Sequence, residues 1–202
     1  MRKSIFIVSI LASFVLFFSC TADITLTEQK DGSVKVLFSG RAGYEFNKLI
    51  NGNNEGSPID VKQISYQLEK AGFYDVKVTN DEIKDVKISM LDKSKSSYIF
   101  TSGIVSSKMD LNINKENLRK FYEEADEQTR LILDLLIAPI FNGEEMSADE
   151  YVELLSSVYG SAVAEEVQKG FVNISLVNSS GKKSSVRIPV ADLLCGNAEI
   201  TF

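Results

Sequence analysis

Apolar residues alternate with polar ones in two regions of this chain, and a stretch of helical spacing separates them. Ile24 and Leu26 lie on one face of the first alternating run, and residues 34–38 resume the pattern after Lys-Asp-Gly-Ser at 30–33. Because Asp-Gly between two alternating runs is a strong hairpin signal, the pattern predicts that these runs pair as a β-hairpin.

Further alternating runs predict additional strands on both sides of the helical stretch. They are residues 73–79, 86–90, 98–104, 172–176 and 186–190, with a closing edge strand at 198–202. Short polar turns separate most of these runs from their neighbours along the chain. Because short turns join antiparallel strands, we expect the sheet to be antiparallel.

Helical signals occupy the remainder of the chain. Residues 44–50 predict a short helix, and Ser57-Pro58 begins a second one that Gly72 ends. Residues 114–141 have apolar residues at helical spacing, with Pro139 kinking or ending the run. Ser147 to Glu150 is a capping box that opens a further helix, Gly160 interrupts it, and a last helix runs from Ser161 to Gly170.

Strand runs on either side of a helical block are typical of the α+β class. We therefore expect an antiparallel sheet of short strands and hairpins, with a central block of helices packed on one face. Residues 20–202 are of a length that one domain accommodates, and neither an internal repeat nor a long linker divides them.

Residues 1–19 have the organisation of a secretory signal peptide. Arg2 and Lys3 form a positive start, residues 5–18 are almost wholly apolar, and Ser19 is a small residue directly before Cys20. The apolar run is shorter than the ~20 residues that a membrane-spanning helix needs. The run ends on a cysteine, whereas the signal of a soluble protein ends in a small-x-small cleavage site.

A small residue before a cysteine at the end of such a leader resembles the lipobox of bacterial lipoproteins. Phe17 and Phe18 stand where the strict pattern has Leu and a small residue, and relaxed boxes of this kind look most like those of spirochaetal lipoproteins. The resemblance covers residues 1–20. It implies diacylglyceryl transfer to the Cys20 sulfur, cleavage before Cys20 and N-acylation. Thr21 is not the Asp that retains enteric lipoproteins at the inner membrane, which favours the outer membrane of a double-membrane cell.

Charge and composition exclude several classes of function. Residues 1–19 hold two of the 22 basic residues and none of the 28 acidic ones, so residues 20–202 carry a net charge of −8. Such a chain is repelled by nucleic acid, and we predict no nucleic-acid partner. The sequence has no histidine, which excludes Ser-His and Cys-His nucleophilic sites and His-ligated metals. We predict no cofactor and no metal.

Cys195 is the second of the two cysteines. With Cys20 acylated, Cys195 has no intramolecular partner, and its context Leu193-Leu194-Cys195 predicts a buried, inert thiol. Intermolecular pairing or a reactive thiol is the alternative.

Patterns that suggest catalysis have simpler structural explanations. Ser-x-x-Lys occurs twice at residues 179–183, but a polar turn between strands leaves its lysines solvated. Acidic pairs recur along the chain, and two convergent carboxylates could hydrolyse a glycosidic bond. Adjacent residues on a helix point in different directions, however, and these pairs flank helix starts or solvated faces. The pairs are Glu123-Glu124, Glu144-Glu145, Asp149-Glu150 and Glu165-Glu166.

Residues 131–141 form the most apolar segment after the leader. They predict a central core helix covered by the sheet, and the alternative is that they line a cavity for a lipid or contact a partner. The candidate residues for an apolar ligand or partner surface are Leu131, Leu135, Leu136, Ile137, Ile140 and Phe141.

Together these patterns predict a membrane-anchored envelope lipoprotein that acts as a non-enzymatic binding or structural module. Its partners are the membrane, through lipid on Cys20, and an envelope protein or apolar ligand. The first alternative is a carrier or sensor of a lipid or other apolar ligand. The second is a carboxylate-based hydrolase of envelope glycans.

Overall fold

The structure is a computed structural model. It describes residues 21–41, 43–51, 61–70, 72–81, 85–93 and 146–195, together with residues 122, 123, 130 and 134. The strands are β1 Thr21–Glu28, β2 Val34–Arg41, β3 Tyr74–Asp81, β4 Asp85–Asp92, β5 Phe171–Val177 and β6 Lys183–Pro189. The helices within these ranges are α1 Tyr44–Asn51, α2 Val61–Lys70, α3 Ala148–Tyr159, α4 Ser161–Lys169 and α5 Val190–Leu194.

The six strands form one sheet in the order β3-β4-β2-β1-β5-β6. The hairpins β1–β2, β3–β4 and β5–β6 pair antiparallel, as does β2 with β4. This arrangement of sheet and helices confirms the α+β class.

The expectation of a wholly antiparallel sheet is wrong for one pair, because β1 and β5 run parallel. Short turns dictate antiparallel pairing only between strands that they join. More than 140 residues separate the end of β1 from the start of β5, and a connection of that length can return the chain in either direction.

Period-two alternation places one face of the sheet in the core. In β2 every second residue is buried, beginning at Val34, and the residues between them are exposed. The buried positions of neighbouring strands are in register, as for Ile24 beside both Phe38 and Ile174. The buried residues of this inner face are Ala22, Ile24, Leu26, Val34, Val36, Phe38, Val86, Ile88, Met90, Val172, Ile174, Leu176 and Ile188.

The helices contribute their apolar faces to the same core. Their buried residues form one cluster with the inner face of the sheet. These residues are Phe46, Leu68, Tyr151, Leu155, Val163, Ala164, Val167, Val190, Ala191, Leu193 and Leu194. The predicted packing of helices on one face is therefore observed in the described part of the chain.

Local signals set the helix boundaries much as predicted. The capping box of α3 is present, since Ser147 Oγ accepts from Glu150 N and the Glu150 carboxylate accepts from Ser147 N at 2.8 Å. Gly160 separates α3 from α4 with a φ of 93° and a ψ of 157°, a conformation that is essentially restricted to glycine. Gly72, with a φ of 93°, follows α2 as predicted.

The prediction that Val190 continues the last alternating run as a strand is wrong. β6 ends at Pro189, and Val190 begins α5. Val190 N still donates to Gly170 O at 3.0 Å, in register with the β5–β6 pairing, but buried Val190, Leu193 and Leu194 recur at helical spacing and the chain becomes helical from that residue. Val190 is still buried, so the alternation correctly marked a core residue while missing the change of backbone conformation.

Several predicted elements lie outside the described residues. They are the leader at 1–19, the helix start at 57–58, the strand at 98–104, most of the helical block at 114–141 and the closing strand at 198–202.

Candidate functional site

The site residues predicted from the sequence lie outside the described ranges, but the neighbour of one of them is well placed. The structure does not describe Cys20 or the apolar candidates of the 131–141 segment. Thr21, which is bonded to Cys20, is the first residue of β1. β1 is a central strand, paired with β2 on one side and with β5 on the other.

We call the row of residues paired in register with Thr21 the Thr21 end of the sheet. From β3 to β6 this row is Asp81, Asp85, Arg41, Thr21, Phe171 and Pro189. Every strand contributes one residue to it, so the Thr21 end extends across the full width of the sheet.

Arg41 and Asp85 form a bidentate ion pair at the Thr21 end. Arg41 Nε donates to Asp85 Oδ1 at 2.7 Å, and Arg41 Nη2 donates to Asp85 Oδ2 at 2.9 Å. The hydrogen bond from Arg41 lowers the pKa of the Asp85 carboxyl. The Arg41 side chain is 69% exposed, so the pair is solvated and stabilises the fold only modestly.

Helix α1 begins beside this end, because α4 holds it there. The Glu166 carboxylate of α4 accepts from Glu45 N at 2.9 Å and from Phe46 N at 3.0 Å. A carboxylate is favourable at that position, where the first N–H groups of a helix have no partner within the helix. Glu166 lies only five residues before Phe171, the first residue of β5. Tyr44, the first residue of α1, is 59% exposed.

Two further polar contacts lie close to the Thr21 end. The Arg187 guanidinium lies over the Phe171 ring, with its Cζ 3.5 Å from the ring centroid. Asn173 Nδ2 donates to Asp23 Oδ1 at 2.7 Å across the parallel β1–β5 pair. Each contact joins neighbouring strands, and the arginine shields an aromatic ring that is partly exposed.

The face of the sheet opposite the core is polar, and we call it the outer face. Its central positions carry hydroxyl, amide, carboxylate, ammonium and guanidinium groups, and Leu37, which is 39% exposed, is the apolar exception. These groups can hydrogen-bond to a polar partner. On this outer face, the residues in register with Asp23 and with Thr25 are Asp23, Thr25, Leu37, Ser39, Lys77, Thr79, Lys87, Ser89, Asn173, Ser175, Ser185 and Arg187.

Two hairpin turns at the opposite end of the sheet, β1–β2 and β5–β6, are joined to each other. Glu28, at the end of β1, accepts from Ser179 N at 3.0 Å. In the first turn the Asp31 carboxylate accepts from Ser33 Oγ and Ser33 N, and these hydrogen bonds lower the pKa of Asp31. Lys182, from the Ser-x-x-Lys pattern, is exposed in the second turn, so its solvation is as predicted.

The predicted burial of Cys195 is confirmed. Its residue is 4% exposed, and its Sγ donates to Ser147 O at 3.7 Å. Burial raises the pKa of the thiol to about 11, so the nucleophilic thiolate is scarce at neutral pH. Burial also raises the pKa of the nearby Tyr151 hydroxyl.

The described acidic pairs contribute to helix structure. Glu150 belongs to the capping box of α3, and Glu165 accepts from Lys169 Nζ at 2.8 Å on the surface of α4. The role of Glu166 at the start of α1 was missed by the sequence analysis. Residue 166 and residue 45 are 121 positions apart, and local spacing carries no signal for such a contact.

Neither a metal-binding cluster nor a membrane-spanning helix is present in the described ranges. Within them no group of three or more Cys, Asp or Glu residues could hold a metal ion. Of the helices that the structure describes, none is long and apolar enough to cross a membrane.

Comparisons with known proteins identify no relative: no family model matches the chain, and no curated protein or solved structure is significantly similar to it.

Proposed function

We propose that this chain is an exported lipoprotein, anchored through lipid on Cys20, whose folded domain is a non-enzymatic binding or structural module of the cell envelope. The leader at residues 1–19 directs export, and cleavage before Cys20 leaves residues 20–202. The acyl chains on one residue provide the two or more chains that lasting attachment requires.

The start of the sheet is the observation that supports the anchor most directly. β1 begins at Thr21, one residue after the predicted cleavage position. Its buried residues Ala22, Ile24 and Leu26 lie within the next six positions. Cleavage before Cys20 therefore leaves every described residue of this central strand in the mature chain, whereas cleavage a few residues later would remove part of the core.

The contacts of the described carboxylates support a role other than catalysis. Glu150 and Glu166 satisfy helix N-termini, Asp31 stabilises a turn, and Asp85 pairs with Arg41. Each of these carboxylates already stabilises a local structure. The outer face provides the polar groups with which a partner would form hydrogen bonds.

Metabolic labelling with palmitate in the producing cell tests the anchor. Wild-type chain is expected to incorporate label, and Cys20→Ala is expected to incorporate none because its acceptor sulfur is absent. Cys195→Ala is the matched control, since it removes the other of the two cysteines and leaves labelling unchanged. Equal labelling of wild type and Cys20→Ala would overturn the proposal.

A further inference from the structure

We infer that the Thr21 end of the sheet is the surface that contacts the lipid headgroup layer, with Tyr44 and the Arg187–Phe171 pair as its interfacial groups. This inference rests on the proposed lipid anchor. It goes beyond that anchor by assigning an orientation to the folded domain.

The absence of a spacer between anchor and sheet is the first argument. Consecutive Cα atoms are about 3.8 Å apart, so the Cα of Cys20 lies within that distance of Thr21. Thr21 is paired in register with Arg41 on one side and with Phe171 on the other, which holds its backbone in the sheet. A lipid on Cys20 therefore brings this end of the sheet to the bilayer surface.

The side chains at this end suit a headgroup layer. Tyr44 is 59% exposed, and tyrosine is enriched at membrane interfaces because it combines an apolar ring with a polar hydroxyl. Arg187 keeps its guanidinium over Phe171 and remains exposed, so it presents a cation on an apolar support. Pro189, the last residue of an edge strand, is also exposed.

Part of the acidic charge at this end is paired, although residues 20–202 carry a net −8 and Asp81 adds a further acid to the same row. Asp85 is neutralised by Arg41, and Glu165 near the end of α4 is neutralised by Lys169. Such pairing limits the repulsion that an acidic chain meets at anionic headgroups.

The opposite end lies beyond the reach of the headgroup layer when the Thr21 end is in contact. β1 has eight residues, which at ~3.3 Å each place Glu28 about 23 Å from Thr21. One headgroup layer is only about 5 to 8 Å thick. A short-range probe of the headgroups can therefore distinguish the two ends of the sheet.

Fluorescence quenching on the lipidated full chain tests the orientation. A thiol-reactive fluorophore is attached to one introduced cysteine in each of three variants. Tyr44→Cys places the fluorophore at the Thr21 end, Leu37→Cys places it on the outer face, and Lys182→Cys places it at the opposite end. The chain without an added cysteine is the blank, because Cys195 is buried. Each labelled chain is reconstituted into phosphatidylcholine vesicles whose headgroups carry a nitroxide quencher.

The fluorophore at residue 44 is expected to lose most of its emission, and those at residues 37 and 182 are expected to lose little. Quenching at residue 37 or 182 that equals quenching at residue 44 would overturn the inference, because the domain would then lie on its outer face or tumble. Mass spectrometry of the same purified chain separates the two proposals. A chain without acyl groups contradicts the anchor, whereas an acylated chain with uniform quenching contradicts only the orientation.

Discussion

At the scale of single residues, the Cys195 thiol illustrates how burial changes chemistry. Sγ donates to Ser147 O, directly at the N-cap of α3, and lies near the buried Tyr151 ring. The sequence context predicted burial, because two leucines precede the cysteine. The contact with Ser147 could not be predicted, because it joins residues 48 positions apart.

The free energy of unfolding should depend on pH through the ionisation of the Cys195 thiol. Its pKa rises from 9.0 to about 11 on folding, so the folded chain holds the proton more tightly than the unfolded chain. This contribution is fully present below pH 9.0 and is lost as pH rises towards about 11. Urea unfolding across this window should therefore show a falling free energy of unfolding.

Cys195→Ala is the control for that measurement. Because alanine does not titrate, the free energy of unfolding of this variant should fall less steeply over the same pH window, whatever its absolute value. Equal slopes for wild type and Cys195→Ala would contradict the assignment.

At the scale of elements, α1 depends on a carboxylate from another helix. Glu166 accepts two backbone hydrogen bonds from α1, whereas its neighbour Glu165 only pairs with Lys169 on the surface of α4. Two adjacent acids on one helix thus have different energetic roles.

Substitution of these two acids by glutamine should separate the roles. Glu166→Gln weakens two charge-assisted hydrogen bonds at a helix N-terminus and should lower the free energy of unfolding by about 1 to 3 kcal/mol. Glu165→Gln, the matched control, should leave the free energy of unfolding almost unchanged because its ion pair is exposed to solvent. Urea unfolding of both variants measures the difference, and equal effects would contradict the proposed cap.

Helices and hairpins could be predicted from the sequence where the residues that specify them lie close together in the chain. The Asp-Gly hairpin and the Ser147–Glu150 capping box involve residues a few positions apart, and both are present. At Val190 two local signals overlap, because the alternating run ends where buried residues at helical spacing begin, and the residue is helical. The parallel direction of β5 beside β1 has no local signal, because it depends on the whole intervening chain.

The same distinction holds for the candidate site. The sequence predicted Cys20 as the lipid-attachment residue from a local leader pattern, and it placed the first strand only a few residues later. It could not show that this strand is central, because β5 completes the pairing from the far end of the chain. The row of residues that forms the Thr21 end follows only from that pairing.

At the scale of the whole molecule, β1 joins the two parts of the sheet. It lies between β2 and β5, so its loss removes one of the two partner strands of each neighbour and divides the sheet. Its three fully buried residues, Ala22, Ile24 and Leu26, also lie at the centre of the inner face.

The number of N-terminal residues that can be removed without loss of the fold should therefore have a sharp limit. A chain that begins at Thr21 should unfold cooperatively, since β1 is intact. A chain that begins at Thr27 should not, because burying Ile or Leu contributes about 1.5 to 3 kcal/mol each and whole domains are stable by only about 5 to 15 kcal/mol. Circular dichroism during urea unfolding distinguishes them, and equal midpoints would contradict a central role for β1.

The parallel pairing of β1 with β5 also determines when the protein can fold. Asp23 and Asn173, which face each other across this pair, are 150 positions apart. As the chain is made, β1 and β2 emerge first as a lone hairpin, and an isolated hairpin is at best marginally stable in water. The sheet closes only after β5 has been synthesised, and the long loop that must close makes folding slow. A nascent chain of this topology therefore lacks its complete sheet and core until β5 at Phe171–Val177 has been made, which favours the unfolded state that threading through a narrow pore requires.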